Sequence, residues 1–274
     1  MTDARASSVF PYAVFAAMLG MAGLPIYIHA PKFFVDSYGI SLSALGAALF
    51  GLRLLDFVQD PLLGHLAERT LKLRSVPIWC AALVMSFGMI GLFAVNAPFS
   101  PALWFLLTLV AVFSGFSFLM IRVYAEGIAQ FGASGQLRLA RWRESGNLLG
   151  VCLAAILPSL LLSVTNEPFV AFAFLFCISV LLATLLMQRQ WRFETAHPQK
   201  DDTSAILSDT VFRQLLVLAV VNTAPVAVSS TLFLFFVESL LMAPELAGPL
   251  LILFFLAAAA MAPFWTFLAY RYGA

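Results

Sequence analysis

The chain has 274 residues, 62% of them hydrophobic and 11% charged, and a formal net charge of +1 at pH 7. An ordinary soluble domain carries roughly 45–50% apolar and about 25% charged residues, so this composition excludes a water-soluble fold. The balanced charge gives no ground for a nucleic-acid partner, and Cys80, Cys152 and Cys177 lie inside apolar runs with neither disulfide nor metal spacing.

Taken in order, eight apolar spans are predicted near residues 9–31, 42–66, 76–96, 101–124, 144–164, 168–188, 210–237 and 246–270. Each is close to the roughly 20 residues that a helix needs to cross a bilayer. Backbone polar groups must be satisfied within the segment in lipid, so the spans are expected as helices. The first follows a single basic residue, Arg5, and is too long for the apolar core of a signal peptide, although Ile28-His29-Ala30 resembles a cleavage site. The links alternate in charge. His65 to Arg74, Arg138 to Arg143, Arg189 to Lys200 and the terminal Arg271 are basic, whereas Val35 to Ser43, Asn96 to Pro101, Asn166 to Pro168 and Ser239 to Leu246 are nearly free of Lys and Arg. Basic links collect on the cytoplasmic side, which predicts a cytoplasmic N-terminus in a multi-pass protein of the bacterial inner membrane.

The longest polar stretch separates the sixth and seventh spans. The expected organisation is therefore a six-helix bundle over 1–188, a cytoplasmic linker over 189–209, and over 210–274 the first two helices of a second bundle.

The second span contains Arg53, Asp56 and Asp60, spaced by three and four residues, which places them on one helix face. Each charge at mid-membrane costs about 2.5–3.5 kcal/mol on the insertion scale, so this stripe must face protein or water. Two carboxylates one turn apart repel. Bound Na⁺, a shared proton or a cation such as Arg53 relieves them. The competing reading is an Arg53–Asp56 ion pair that only locks helix packing. Pro61 and Gly64 are expected to let this helix bend or pack closely.

The run Arg53-Leu-Leu-Asp56-Phe-Val-Gln-Asp60-Pro61-Leu-Leu-Gly64 resembles the second-helix signature of the glycoside-pentoside-hexuronide cation symporters of the major facilitator superfamily. Supporting similarities are Leu139-Ala-Arg-Trp-Arg143-Glu-Ser-Gly-Asn-Leu-Leu-Gly150, Phe212-Arg-Gln-Leu-Leu, Leu234-Phe-Phe-Val-Glu238 and Leu268-Ala-Tyr-Arg-Tyr-Gly273. The resemblance implies an all-α membrane protein, a helical bundle of the major facilitator type with about eight of an expected twelve transmembrane helices, hence truncated at its C-terminus. It also implies cation ligation by Asp56 and Asp60, Na⁺ being the metal if coupling is to sodium, and a substrate contact at Arg143. Two departures stand out. Gly20 and Ile121 occupy positions where the melibiose-type members of that family carry sugar-anchoring aspartates, and Glu68-Arg-Thr-Leu-Lys-Leu-Arg74 replaces a basic-glycine turn.

Further polar residues complete the candidate site. Arg122, Tyr124 and Glu126 close the fourth span while Arg143, Glu144 and Asn147 open the fifth, as a wall of the substrate path or as an interfacial ion-pair network. His29 reads as an interfacial residue or a proton relay, and Asn222 as an interhelical contact or a substrate ligand. The expected function is symport of a small solute, such as a sugar or glycoside, with Na⁺ or H⁺. The alternatives are a non-sugar cargo such as a lysolipid or organic anion, and a non-transporting remnant. An enzyme is disfavoured because the spans hold neither a nucleophile–base pair nor a His/Asp metal cluster. No cofactor is expected beyond the coupling ion. The expected partners are the solute and the bilayer, and the complete protein is expected to be monomeric.

Overall fold

The structure, a computed structural model, describes residues 8–191 and 209–246 and isolated helical positions between 249 and 271. The described elements are helices with no strand among them: α1 (Phe10–Tyr38), α2 (Leu42–Arg69), α3 (Val76–Phe93), α4 (Pro101–Gly132), α5 (Gly135–Leu161), α6 (Pro168–Met187) and α7 (Thr210–Ser239). Five of them, α2 to α6, are long and apolar enough to cross a membrane. Most of the predicted linker, residues 192–208, and much of the predicted eighth span lie outside the described residues.

Local chemistry sets the helix ends. Prolines occupy the first turns of α1, α3, α4 and α6, where the missing N–H costs nothing. Ser41 caps α2 by accepting from the Ala44 N–H at 3.3 Å, Asp209 caps α7 by accepting from Val211 at 2.9 Å, and Gly39 ends α1 at a φ of 65°. One boundary differs from the sequence reading. Residues 125–143, expected as a charged link, are helical almost throughout, and the chain turns at Gly132, whose φ of 55° only glycine adopts without strain. Loss of hydropathy marks where lipid ends, and helix hydrogen bonding continues beyond that point.

The described residues form two units, one holding α1 to α6 and the other holding α7. In the first unit α1 packs most heavily on the α4–α5 pair, burying Tyr12, Phe15, Met18, Leu19 and Phe34. Lipid is as apolar as leucine, so helices in a membrane gain little from the hydrophobic effect and associate through close packing of small residues. That packing is explicit between α1 and α5. A Cβ added to Gly146 or Gly150 would strike the carbonyl oxygen of Ala13 or Ala17, and one on Gly20 would lie 2.9 Å from Asn147 Oδ1. The backbones touch here. Gly88 and Gly115 do the same between α3 and α4, and Trp104 Nε1 donates to the Gly91 carbonyl at 2.8 Å. Gly64, expected with Pro61 to let α2 bend or pack closely, has open space around it among the described residues.

At the end of the bundle carrying Arg69, Arg74 and Arg189, called the basic end below, Tyr12 donates to Gln130 Oε1 at 2.5 Å and Gln130 donates to Gln190 Oε1 at 2.7 Å. Trp191 packs edge-on against Phe15 nearby. At the opposite end Phe33, Phe34, Phe93, Phe105, Phe169 and Phe172 form an aromatic block, joined by the His29 ring 6.0 Å from Phe169. His29 is half-buried, and its Nε2 is covered and has no hydrogen-bond partner.

The α1–α5 contact is directly testable. Gly150→Val should cost about 3 kcal/mol or more, because the obstacle is a backbone carbonyl that cannot change rotamer. Gly46→Ala, at an open position of α2, serves as the control. Equal melting temperatures for the two variants in detergent would mean that α1 and α5 are not in backbone contact.

Candidate functional site

Two contacts set α2 against α4. Ser114 Oγ lies 2.8 Å from the side-chain amide of Gln59, and Arg122 Nη1 donates to the carbonyl of Ala67 at 3.2 Å. Both link residues 55 apart in sequence, so the two helices run parallel in one register. Eight residues separate the contacts on each helix, a rise of about 12 Å. The polar residues therefore form two tiers.

The upper tier belongs to α2. Arg53 Nη1 stands 3.6 Å from Asp56 Oδ2, with the arginine side chain 57% exposed and the aspartate 18% exposed. At that length and exposure the pair contributes at most about 1 kcal/mol. It leaves Asp56 only half satisfied, since Oδ1 is buried without a hydrogen-bond partner. The far end of the Gln59 amide is in the same condition one turn away. Asp60 follows on the same face and is exposed. No group of three or more His, Cys, Asp or Glu suited to a metal occurs among the described residues, so Asp56 and Asp60 stand as a carboxylate pair with an amide between them.

The lower tier lies at the basic end. Arg122 is 4% exposed and Glu126, one turn further along α4, is 2% exposed, and the two charges interact. The Arg122 guanidinium reaches a carbonyl in the last turn of α2, where helix geometry leaves oxygens without N–H partners and the dipole favours a cation. Thr70 Oγ1 donates to the Leu66 carbonyl in the same turn at 2.6 Å. On α5, Arg143 stacks over the Tyr124 ring, 3.6 Å from its centroid, and stands 3.5 Å from the exposed Glu144. This is a cation–π pair.

Of the residues singled out in the sequence, Arg53, Asp56 and Asp60 come together, and so do Arg143 and Tyr124. The two sets do not meet. In the α2–α4 register Tyr124 is level with Arg69, which puts it about 14 Å below Asp60 and about 20 Å below Asp56 along the helix axis. Asn147 is half-buried one turn above Arg143, pressed against Gly20. Asn222 lies on α7 in the other unit, exposed. Gln59 and Ser114 were not singled out in the sequence. Gln59 was legible from its place three residues after Asp56, but Ser114 depends on the register of a helix 55 positions away.

Residues 9–274 match the model of a family described as MFS/sugar transport protein. No curated protein and no solved structure matches the chain.

The lower tier yields a stability prediction. Arg122→Leu should destabilise the protein by about 3–5 kcal/mol, because it removes a buried cation that interacts with the buried Glu126 carboxylate. The double variant Arg122→Leu/Glu126→Leu should lose less than that single change. Denaturant unfolding of the three proteins in detergent gives the comparison, and strictly additive losses would show that the two charges are not coupled.

Proposed function

The chain belongs to the MFS/sugar transport family of the major facilitator superfamily, and on that premise we propose that it is a cation-coupled secondary transporter resembling the glycoside-pentoside-hexuronide symporters. Family membership favours a transporter over an enzyme. In this reading the protein sits in a bacterial inner membrane with its N-terminus in the cytoplasm and carries a small solute by alternating access. Asp56 and Asp60 hold Na⁺ or H⁺, and no other cofactor takes part.

The observation that carries the proposal is the buried, unpartnered oxygen of Asp56 inside a transmembrane helix. A carboxylate in such a place costs several kcal/mol unless something positive meets it, and the 3.6 Å contact to an exposed Arg53 is too weak to be its whole compensation. A cation held by Asp56 and Asp60, with Gln59 alongside, answers that need. Arg143, stacked on Tyr124, offers a planar fork near the basic end for a solute entering or leaving there. Arg122, Asn147 and Asn222 remain candidates for the solute path.

A non-sugar cargo is favoured by one specific contact. Gly20 lies where melibiose-type relatives carry an anchoring aspartate, and its backbone is pressed so closely against Asn147 that a side chain has no room. A lysolipid or organic anion would not need that carboxylate.

Two measurements test this reading. Asp56→Asn and Asp60→Asn should leave folding largely intact and abolish the effect of Na⁺ and pH on solute binding. Linkage requires the solute's effect on cation binding to vanish with it. Wild-type cation dependence in both variants would rule out the pair as the coupling site. For orientation, a cysteine placed at Ser100 should react with an impermeant maleimide from the periplasmic side, and reaction from the cytoplasmic side alone would invert the topology.

A further inference from the structure

The last third of α2 is held at one place. Pro61, inside the helix, has no N–H to offer the Phe57 carbonyl, so the hydrogen-bond ladder is interrupted there. Of residues 61–69, Ala67 alone is buried; Leu63 and Gly64 are half-buried and the others exposed. His65 Nδ1 stands 2.9 Å from the Pro61 carbonyl oxygen and so braces the first turn below the proline. At the far end, Arg122 Nη1 of α4 donates to the Ala67 carbonyl at 3.2 Å. The segment is thus a short stiff rod with a weak joint at one end and a pin at the other.

The pin has a second place to go. Glu126 lies one turn along α4 from Arg122, its charge already interacts with the guanidinium, and a carboxylate can take two parallel bonds where a carbonyl takes one. Arg122 Nε is meanwhile buried with no partner, so the present bond leaves the guanidinium partly unmet. Releasing Ala67 does not orphan its carbonyl. Thr70 Oγ1 donates to the Leu66 carbonyl at 2.6 Å and already lies 3.3 Å from that of Ala67, while Leu66 keeps the Thr70 N–H at 3.0 Å. Both arrangements are therefore satisfied. We propose that Arg122 is a latch: bonded to Ala67 it holds residues 61–69 against α4, and turned onto Glu126 it lets that segment swing on Pro61. Asp60 directly precedes the joint and Asp56 stands one turn above it, so in the cation-coupled reading, on which this link rests, the latch connects the acidic pair to the basic end.

The test reads how often the segment opens. Purified full-length protein in lipid nanodiscs, with Cys80, Cys152 and Cys177 replaced by Ala, carries Ala67→Cys, at a position 4% exposed, and its rate of reaction with a maleimide scales with the open fraction. Ala173→Cys, at a fully buried position of α6, is the control for general loosening. Adding Arg122→Leu/Glu126→Leu should raise the rate at position 67 about tenfold or more, the usual worth of a hydrogen bond to a charged group. Glu126→Gln, which weakens the receiving partner, should lower it about tenfold, and Pro61→Ala, which repairs the joint, should lower it in both backgrounds. An unchanged rate in the double variant, a faster rate in Glu126→Gln, no effect of Pro61→Ala, or a rise shared by position 173 would each overturn the latch. With the latch intact, exchanging choline for Na⁺ or changing pH should alter the rate, and Asp56→Asn should abolish that response. A rate that answers to Arg122 and Pro61 yet to neither Na⁺ nor pH leaves the latch standing and counts against the cation-coupled reading.

Discussion

Two hydrogen bonds, Gln59 with Ser114 and Arg122 with Ala67, hold α2 and α4 parallel in a single register, and the arrangement of the polar interior follows from it. A shift of one residue would carry Ser114 about 100° around its helix, away from Gln59, and would take Arg122 off the end of α2. In water such a shift costs little, because solvent takes over orphaned polar groups. In hydrocarbon it leaves an amide, a guanidinium and a carboxylate unmet, at several kcal/mol each. The polar pairs therefore act as a ruler between two helices whose apolar surfaces would tolerate many alignments.

The α1–α5 contact is held by another means. Gly20, Gly146 and Gly150 bring the backbones together so closely that shape alone sets the alignment. The first unit thus combines a seam fixed by polar bonds, α2 with α4, and a seam fixed by steric fit, α1 with α5. Removing a hydroxyl at the first seam changes chemistry with little change of shape. Adding a methyl group at the second changes shape with no change of chemistry.

Much of this was legible in the sequence, for physical reasons that differ from residue to residue. The spans were visible because lipid accepts only long apolar stretches, and the stripe of Arg53, Asp56 and Asp60 because charges there are costly enough to need a purpose. The helical character of residues 125–143 was hidden because hydropathy measures solubility in lipid and carries no information about backbone hydrogen bonds. Only Gly132, with its positive φ, marks the true corner. Ser114 was hidden because a serine in a helix has several local uses, and its importance arises from what α2 places beside it. The aromatic surroundings of the His29 ring were not legible, because Phe169, beside it, and Phe93, stacked on Phe169, come from distant segments.

The length of α4 has a mechanical consequence. Its 32 residues span about 48 Å, well beyond the roughly 30 Å of bilayer hydrocarbon, so it is a rigid rod with turns to spare at the end where it meets α5. From Ser114 to Gly132 is about 27 Å, and a tilt of about 10° pivoting near Ser114 would swing the Gly132 corner sideways by about 5 Å. Any tilt of α4 pivoting beside Asp56 would therefore be geared up at the far end of the rod. In such a tilt the α4–α5 corner, tied to the start of α1 through Gln130 and Tyr12, would be the long arm of a lever whose short arm ends at the acidic pair.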